Sequence, residues 1–127
     1  MRLWHKDLIP VLPRTQVIAQ WRELNCIFSK QPNHILINYV YNYPKGVLKH
    51  YADLVVEEFN CRGYKINKWD NYNKYFDGVD EINENFKEHD ILYLTMCKYN
   101  LYEKYLRGQK DFTGDIWDNI FYKEYNS

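Results

Sequence analysis

Three stretches of the chain carry apolar residues at helical spacing, and each is bounded by a proline or a glycine. Val17, Trp21, Leu24 and Phe28 recur at intervals of three and four, which lays one apolar stripe along a helix. Leu48, Tyr51, Leu54, Val55 and Phe59 repeat the pattern, with Glu58 and Arg62 on the same period. Ile91, Leu94, Lys98, Leu101 and Tyr105 form the third stripe. Pro13 suits the first turn of the first helix, where its missing N–H costs nothing. Gly63 stands where a left-handed cap ends the second, with Tyr64 and Ile66 to close it apolarly. Gly108 ends the third. The expectation is an all-α domain of three main helices plus short helical segments and an aromatic C-terminal tail. Residues 1–127 contain no repeat or linker and are read as a single domain.

The intervening stretches are less regular. Met1 to Leu12 has no clear period, and Pro10 and Pro13 are expected to bracket a short extended entry. His34 to Tyr43 mixes periods and fits a strand or a short helix; it is read as a short helix because its neighbours are helical. Lys65 to Asn85, rich in Asn, Asp, Tyr and Lys, is expected to run over the surface around Gly78, with at most a turn of helix. Its acidic end suits the start of the last long helix, along which Glu103 and Arg107 can pair. From Asp111 to Ser127 the aromatic tail is expected to fold back on the helices.

Composition excludes several classes. A hydrophobic content of 46% with 18% aromatic residues is too apolar for disorder. No apolar run approaches the roughly 20 residues that span a bilayer, and Met1 to Pro13 lacks the apolar stretch of a secretion signal. A soluble, cytoplasmic protein without a membrane partner is expected. Cys26, Cys61 and Cys97 are odd in number and widely spaced, so reduced, buried or half-buried thiols are expected. His5, His34, His50 and His89 are scattered, and neither a metal nor another cofactor is expected. The formal net charge is zero, which argues against strong nonspecific binding of nucleic acid. The distribution is uneven. Residues 1–30 hold five cations against two acids, a net of +3, and residues 77–90 hold one against six, a net of −5.

Arg22 and Glu23 stand side by side on the first helix, off its apolar stripe and close in sequence to the start of the chain. Taken alone, such a pair reads as solvated surface. Other segments resemble one family in the same order. Trp21-Arg22-Glu23-Leu24 resembles an aromatic-Arg-Glu-Leu motif on a first helix. Pro32 with Ile35-Leu36 resembles a Pro-x-x-Ile-Leu segment. Arg62-Gly63-Tyr64-Lys65-Ile66 resembles an Arg-Gly-aromatic-x-Ile helix end, and Leu101-Tyr102-Glu103-Lys104 a Leu-x-Glu-Lys on a third helix. The tail around Phe121 to Tyr125 is a looser match. Together these resemble the pyrimidine-dimer DNA glycosylase/AP lyase family of the phage endonuclease V type.

The resemblance implies a repair enzyme acting on damaged double-stranded DNA. Its nucleophile would be the N-terminal α-amine, here that of Met1, a group partly unprotonated near neutral pH. Attack at C1′ displaces the base and leaves an imine between protein and sugar. Glu23 would be the carboxylate that stabilises positive charge and assists the proton transfers leading to β-elimination. Arg2, Arg22 and Lys104 would contact DNA, with phosphate the natural partner of Arg22. A damaged pair unstacks at low cost, so a nucleotide can be extruded.

This sequence departs from the pattern at four places. The amine and Arg are kept in order, but one residue earlier relative to Glu23. Cys26 replaces a further Arg one turn after the Arg-Glu pair. The basic loop after the first helix shrinks to about Ser29 to Asn33. Asn100 replaces the Arg before Leu-x-Glu-Lys. The last three remove positive charge, which lowers affinity and flattens its salt dependence. The alternative is therefore a relative without the chemistry, serving as a binding module for nucleic acid or protein. In either case Trp4 and Trp21 are read as core or cleft wall and His34 and His89 as structural. The sequence leaves oligomeric state open.

Overall fold

In the computed structural model, residues 1–109 and 111 are described. Four α-helices follow one another: α1 (Arg14–Lys30), α2 (Lys45–Arg62), α3 (Trp69–Tyr75) and α4 (Ile91–Leu106). Two 3₁₀ segments complete the order, Lys6–Val11 before α1 and Asn38–Asn42 between α1 and α2. No strand occurs among the described residues. The fold is all-α, with α1, α2 and α4 as its main helices. The aromatic tail beyond Asp111 lies outside the described residues.

The helix stops behave as local chemistry requires. At the end of α2, Gly63 is left-handed at φ 72°. Its N–H donates to the Asn60 carbonyl and that of Tyr64 to the Phe59 carbonyl, so two orphan carbonyls of the last turn are satisfied. The Tyr64 ring then packs edge-on against Phe59. α4 starts at Asp90, whose carboxylate accepts the Tyr93 N–H at 2.9 Å, the usual N-cap bond. Glu103 and Arg107 pair at 2.9 Å on its exposed surface.

All four residues of the α1 stripe are buried, and α1 packs against both α2 and α3. At about 1.5–3 kcal/mol for each large apolar side chain removed from water, this face is a main source of stability. Gly46, in the first turn of α2, lets the segment after α3 pass at backbone contact. The Ile82 N–H donates to the Gly46 carbonyl, and a Cβ on Gly46 would meet the Asp80 carbonyl oxygen at 2.4 Å.

Several expectations are corrected. The entry between Pro10 and Pro13 is not extended throughout: Pro10 and Val11 end a 3₁₀ segment that His5 starts by accepting the Asp7 N–H and that buries Leu8 and Ile9. The short helix expected within residues 34–43 is present, as a 3₁₀ turn over Asn38–Asn42. The segment from Lys65 to Asn85 is more than surface. It contains α3, and its Tyr75 and Phe76 are buried beside Phe28. Aromatic packing on α1 outweighs the polar composition there. Ile91 points outward, 72% exposed. Cys61 is exposed, not buried or half-buried, whereas Cys26 is half-buried and Cys97 buried.

Candidate active site

Residues 2–4 lie along one flank of α1, and three helices hold them there. Gln20, 1% exposed, is the centre of the arrangement. Its Oε1 accepts the Trp4 N–H at 2.8 Å and the Tyr51 hydroxyl at 3.0 Å. Its Nε2 donates to the Arg2 carbonyl at 3.0 Å and to Glu23 Oε2 at 3.1 Å. Tyr51, from α2, shares its one hydroxyl proton between Gln20 Oε1 and the nearer Trp4 carbonyl, and Tyr93, from α4, donates to the Leu3 carbonyl, the two carbonyl distances both 2.6 Å. The chain start is therefore fixed by bonds that satisfy both backbone and side-chain groups, as buried polar atoms require.

Glu23 is thereby placed against the N-terminus. Its Oε2 accepts the Arg2 N–H at 3.3 Å. Consecutive backbone nitrogens are about 3–3.6 Å apart by covalent geometry, so the Met1 amine lies no more than about 7 Å from that oxygen. Burial raises the Glu23 pKa above its ordinary value, against the lowering effects of the Arg2 N–H, the charged terminal amine, Arg22 and Gln20. A half-buried carboxylate that accepts donors and faces an amine is suited to exchanging protons.

A second layer lies beneath. His89 is buried, stacks on Tyr93 and shares a hydrogen bond between its Nε2 and the Tyr39 hydroxyl. Burial lowers the His89 pKa to about 3, with the neighbouring His5 adding to the shift. The ring is therefore neutral, with one nitrogen a donor and the other an acceptor. Burial also lowers His5 and raises Tyr93 to about 12. These groups form a neutral scaffold beneath the chain start.

The predicted site residues divide into two sets. Met1 is half-buried against the core, Arg2 carries its guanidinium 6.0 Å from the Tyr93 ring centroid, and both adjoin Glu23. Arg22 is exposed and turns to the opposite flank of α1, where it lines a cleft. Lys104 is half-buried on α4, three turns or about 16 Å along the axis from Tyr93. Sequence reasoning missed Gln20, Tyr51 and Tyr93. Gln20 carried one signal: it stands three residues before Glu23, hence beside it on a helix. Among the described residues no group of three or more His, Cys, Asp or Glu converges on a possible metal position. No helix among them is long and apolar enough to cross a membrane.

Residues 1–71 match the sequence profile of the family described as pyrimidine dimer DNA glycosylase. The match covers more than half of the 127 residues, and the chain belongs to this family. Its class is DNA repair glycosylase and its substrate class is DNA. The matched region contains Met1, Arg2, Gln20, Arg22 and Glu23, whereas Lys104 lies beyond it. Neither a curated protein sequence nor a solved structure matches the chain.

Proposed function

We propose that this protein removes the base at a lesion in double-stranded DNA and cleaves the strand through an imine formed by the Met1 α-amine. The observation that carries this reading is the seating of Glu23 against the chain start, with its Oε2 on the Arg2 N–H. The unprotonated amine attacks C1′ and the glycosidic electron pair leaves with the base. Opening of the sugar ring then converts the C1′ adduct to an imine. A base takes a proton from C2′, and the electrons expel the 3′ phosphate. Glu23 is the group placed to receive and return these protons, and its raised pKa brings it closer to working pH. Arg2 and Arg22 flank the site and neutralise strand phosphates. Lys104 reaches the duplex farther from the reacting sugar. We also read residues 1–127 as one domain, supported by the bonds of Gln109 and Asp111 to the first turn of α1.

Borohydride trapping on a duplex with a single abasic site tests the mechanism. Protein with a free, native N-terminus should form a covalent adduct that N-acetylation abolishes. The same assay on a dimer-containing duplex tests the lesion. Absence of an adduct at low salt, from folded protein with a free amine, would overturn the lyase step.

A further inference from the structure

The flank of α1 opposite Glu23 borders an open cleft of about 690 Å³ between α1 and residues 59–68. Five cations line it, Arg14, Arg22, Arg62, Lys65 and Lys68, and no acidic residue does. From outside the lining, Glu58 pairs with Arg62 at 2.6 Å. The charges of the other four are not offset by any acid lining the cleft. In a chain of zero net charge, such a concentration makes a local positive potential.

The cleft is also a built feature. The Trp21 indole N–H donates to the Asn67 carbonyl at 2.8 Å and pins the loop after α2 to α1. Arg14 lies over the Tyr64 ring, 5.1 Å from its centroid. Lys68 is held left-handed at φ 61°, a conformation that side chains other than glycine's rarely adopt. Trp21 and Phe59 are buried, so the cleft offers cations and few free aromatic faces. That chemistry fits phosphate rather than an extruded base.

We infer that this cleft binds backbone phosphates of the DNA away from the reacting sugar; the inference rests on the DNA substrate class established above. Arg22 and Glu23 are consecutive on α1, and Ala19 and Cys26 occupy the helix surface between the two flanks. Crossing that surface spans about 10–12 Å, the width of a helix, or about three base pairs of duplex. A strand with its lesion at Glu23 therefore reaches the cleft by passing Arg22.

The test measures affinity for an undamaged duplex against sodium chloride concentration, so that no chemistry is needed. Lys65→Gln with Lys68→Gln should bind at least tenfold more weakly at low salt, and the log–log slope should fall by about two. Lys65→Arg with Lys68→Arg should retain the slope. Lys74→Gln with Lys87→Gln, which removes two charges elsewhere, should leave it unchanged. Lys68→Gly relieves the backbone and should melt no lower than wild type, yet reduce the slope by about one. A slope indifferent to Lys65 and Lys68 would overturn the inference. Wild-type protein with a cleft-dependent slope but no trapped adduct would sink the imine mechanism alone. An adduct with an indifferent slope would sink the cleft alone.

Discussion

The two flanks of α1 are built on opposite principles. On the Glu23 side, Gln20, Tyr51, Tyr93 and His89 are mutually hydrogen-bonded or stacked, half-buried to buried, and mostly neutral. On the other side Arg22, Lys65 and Lys68 are exposed cations around an open cleft. Position is the product of the first arrangement, and charge that of the second. Chemistry needs atoms held to fractions of an ångström, whereas phosphate attraction acts over a Debye length and tolerates movement. Change on the first flank should therefore be felt in reaction rate and folding, and change on the second in affinity and its salt dependence.

The largest expected effect breaks the first flank at Glu23, the proposed catalytic carboxylate. Glu23→Gln keeps the shape but loses the proton acceptor, so trapping at an abasic site should slow by about 10²–10⁴-fold, the usual range for a general acid–base group. Acid should act next, through the scaffold. Between about pH 3 and 6.5 the unfolded chain binds a proton at His89 that the fold refuses, so stability falls as pH drops through that window. From pH 6.5 to 4.5 the loss is roughly 2–3 kcal/mol. Glu23 opposes it in part, because its raised pKa makes the folded state the better proton binder there. Denaturant melts at both pH values measure the difference, and His89→Asn should flatten it.

Gln20→Leu tests whether the chain start is held by that side chain. It keeps volume but strands the Trp4 N–H, the Arg2 carbonyl and one Glu23 contact. The expected loss is about 1–3 kcal/mol, read by thermal melting, together with a lower trapping rate at saturating DNA. Unchanged rate in a folded variant would refute the division of roles. The smallest effect belongs to Arg22, on the boundary. Arg22→Gln should weaken duplex binding by about fivefold and lower the salt slope by about one, as seen in a fluorescence titration over salt.

Much of the fold was legible because its signals are local. Stripes at helical period and a glycine after Arg62 act within a turn or two, so α1, α2 and α4 and the cap at Gly63 could be read directly. Where competing forces were long-range, the reading failed. Residues 65–85 look polar, yet Tyr75 and Phe76 find Phe28 across the fold and become core. Ile91 belongs to the period of α4 but sits in its first turn, outside the packed face.

The candidate site shows the same boundary. The order of residues alone places Arg22 beside Glu23 on one helix, about 100° apart, and so sends them to different flanks. Only the tertiary structure brings the chain start to Glu23, because that depends on Gln20, Tyr51 and Tyr93 meeting residues 2–4 across as many as 90 positions. The cleft likewise exists only once the loop after α2 is tied to Trp21. Backbone geometry and hydrophobic period are properties of neighbouring residues. A hydrogen-bonded site is a property of distant ones, chosen by burial that leaves no other partner for their polar atoms.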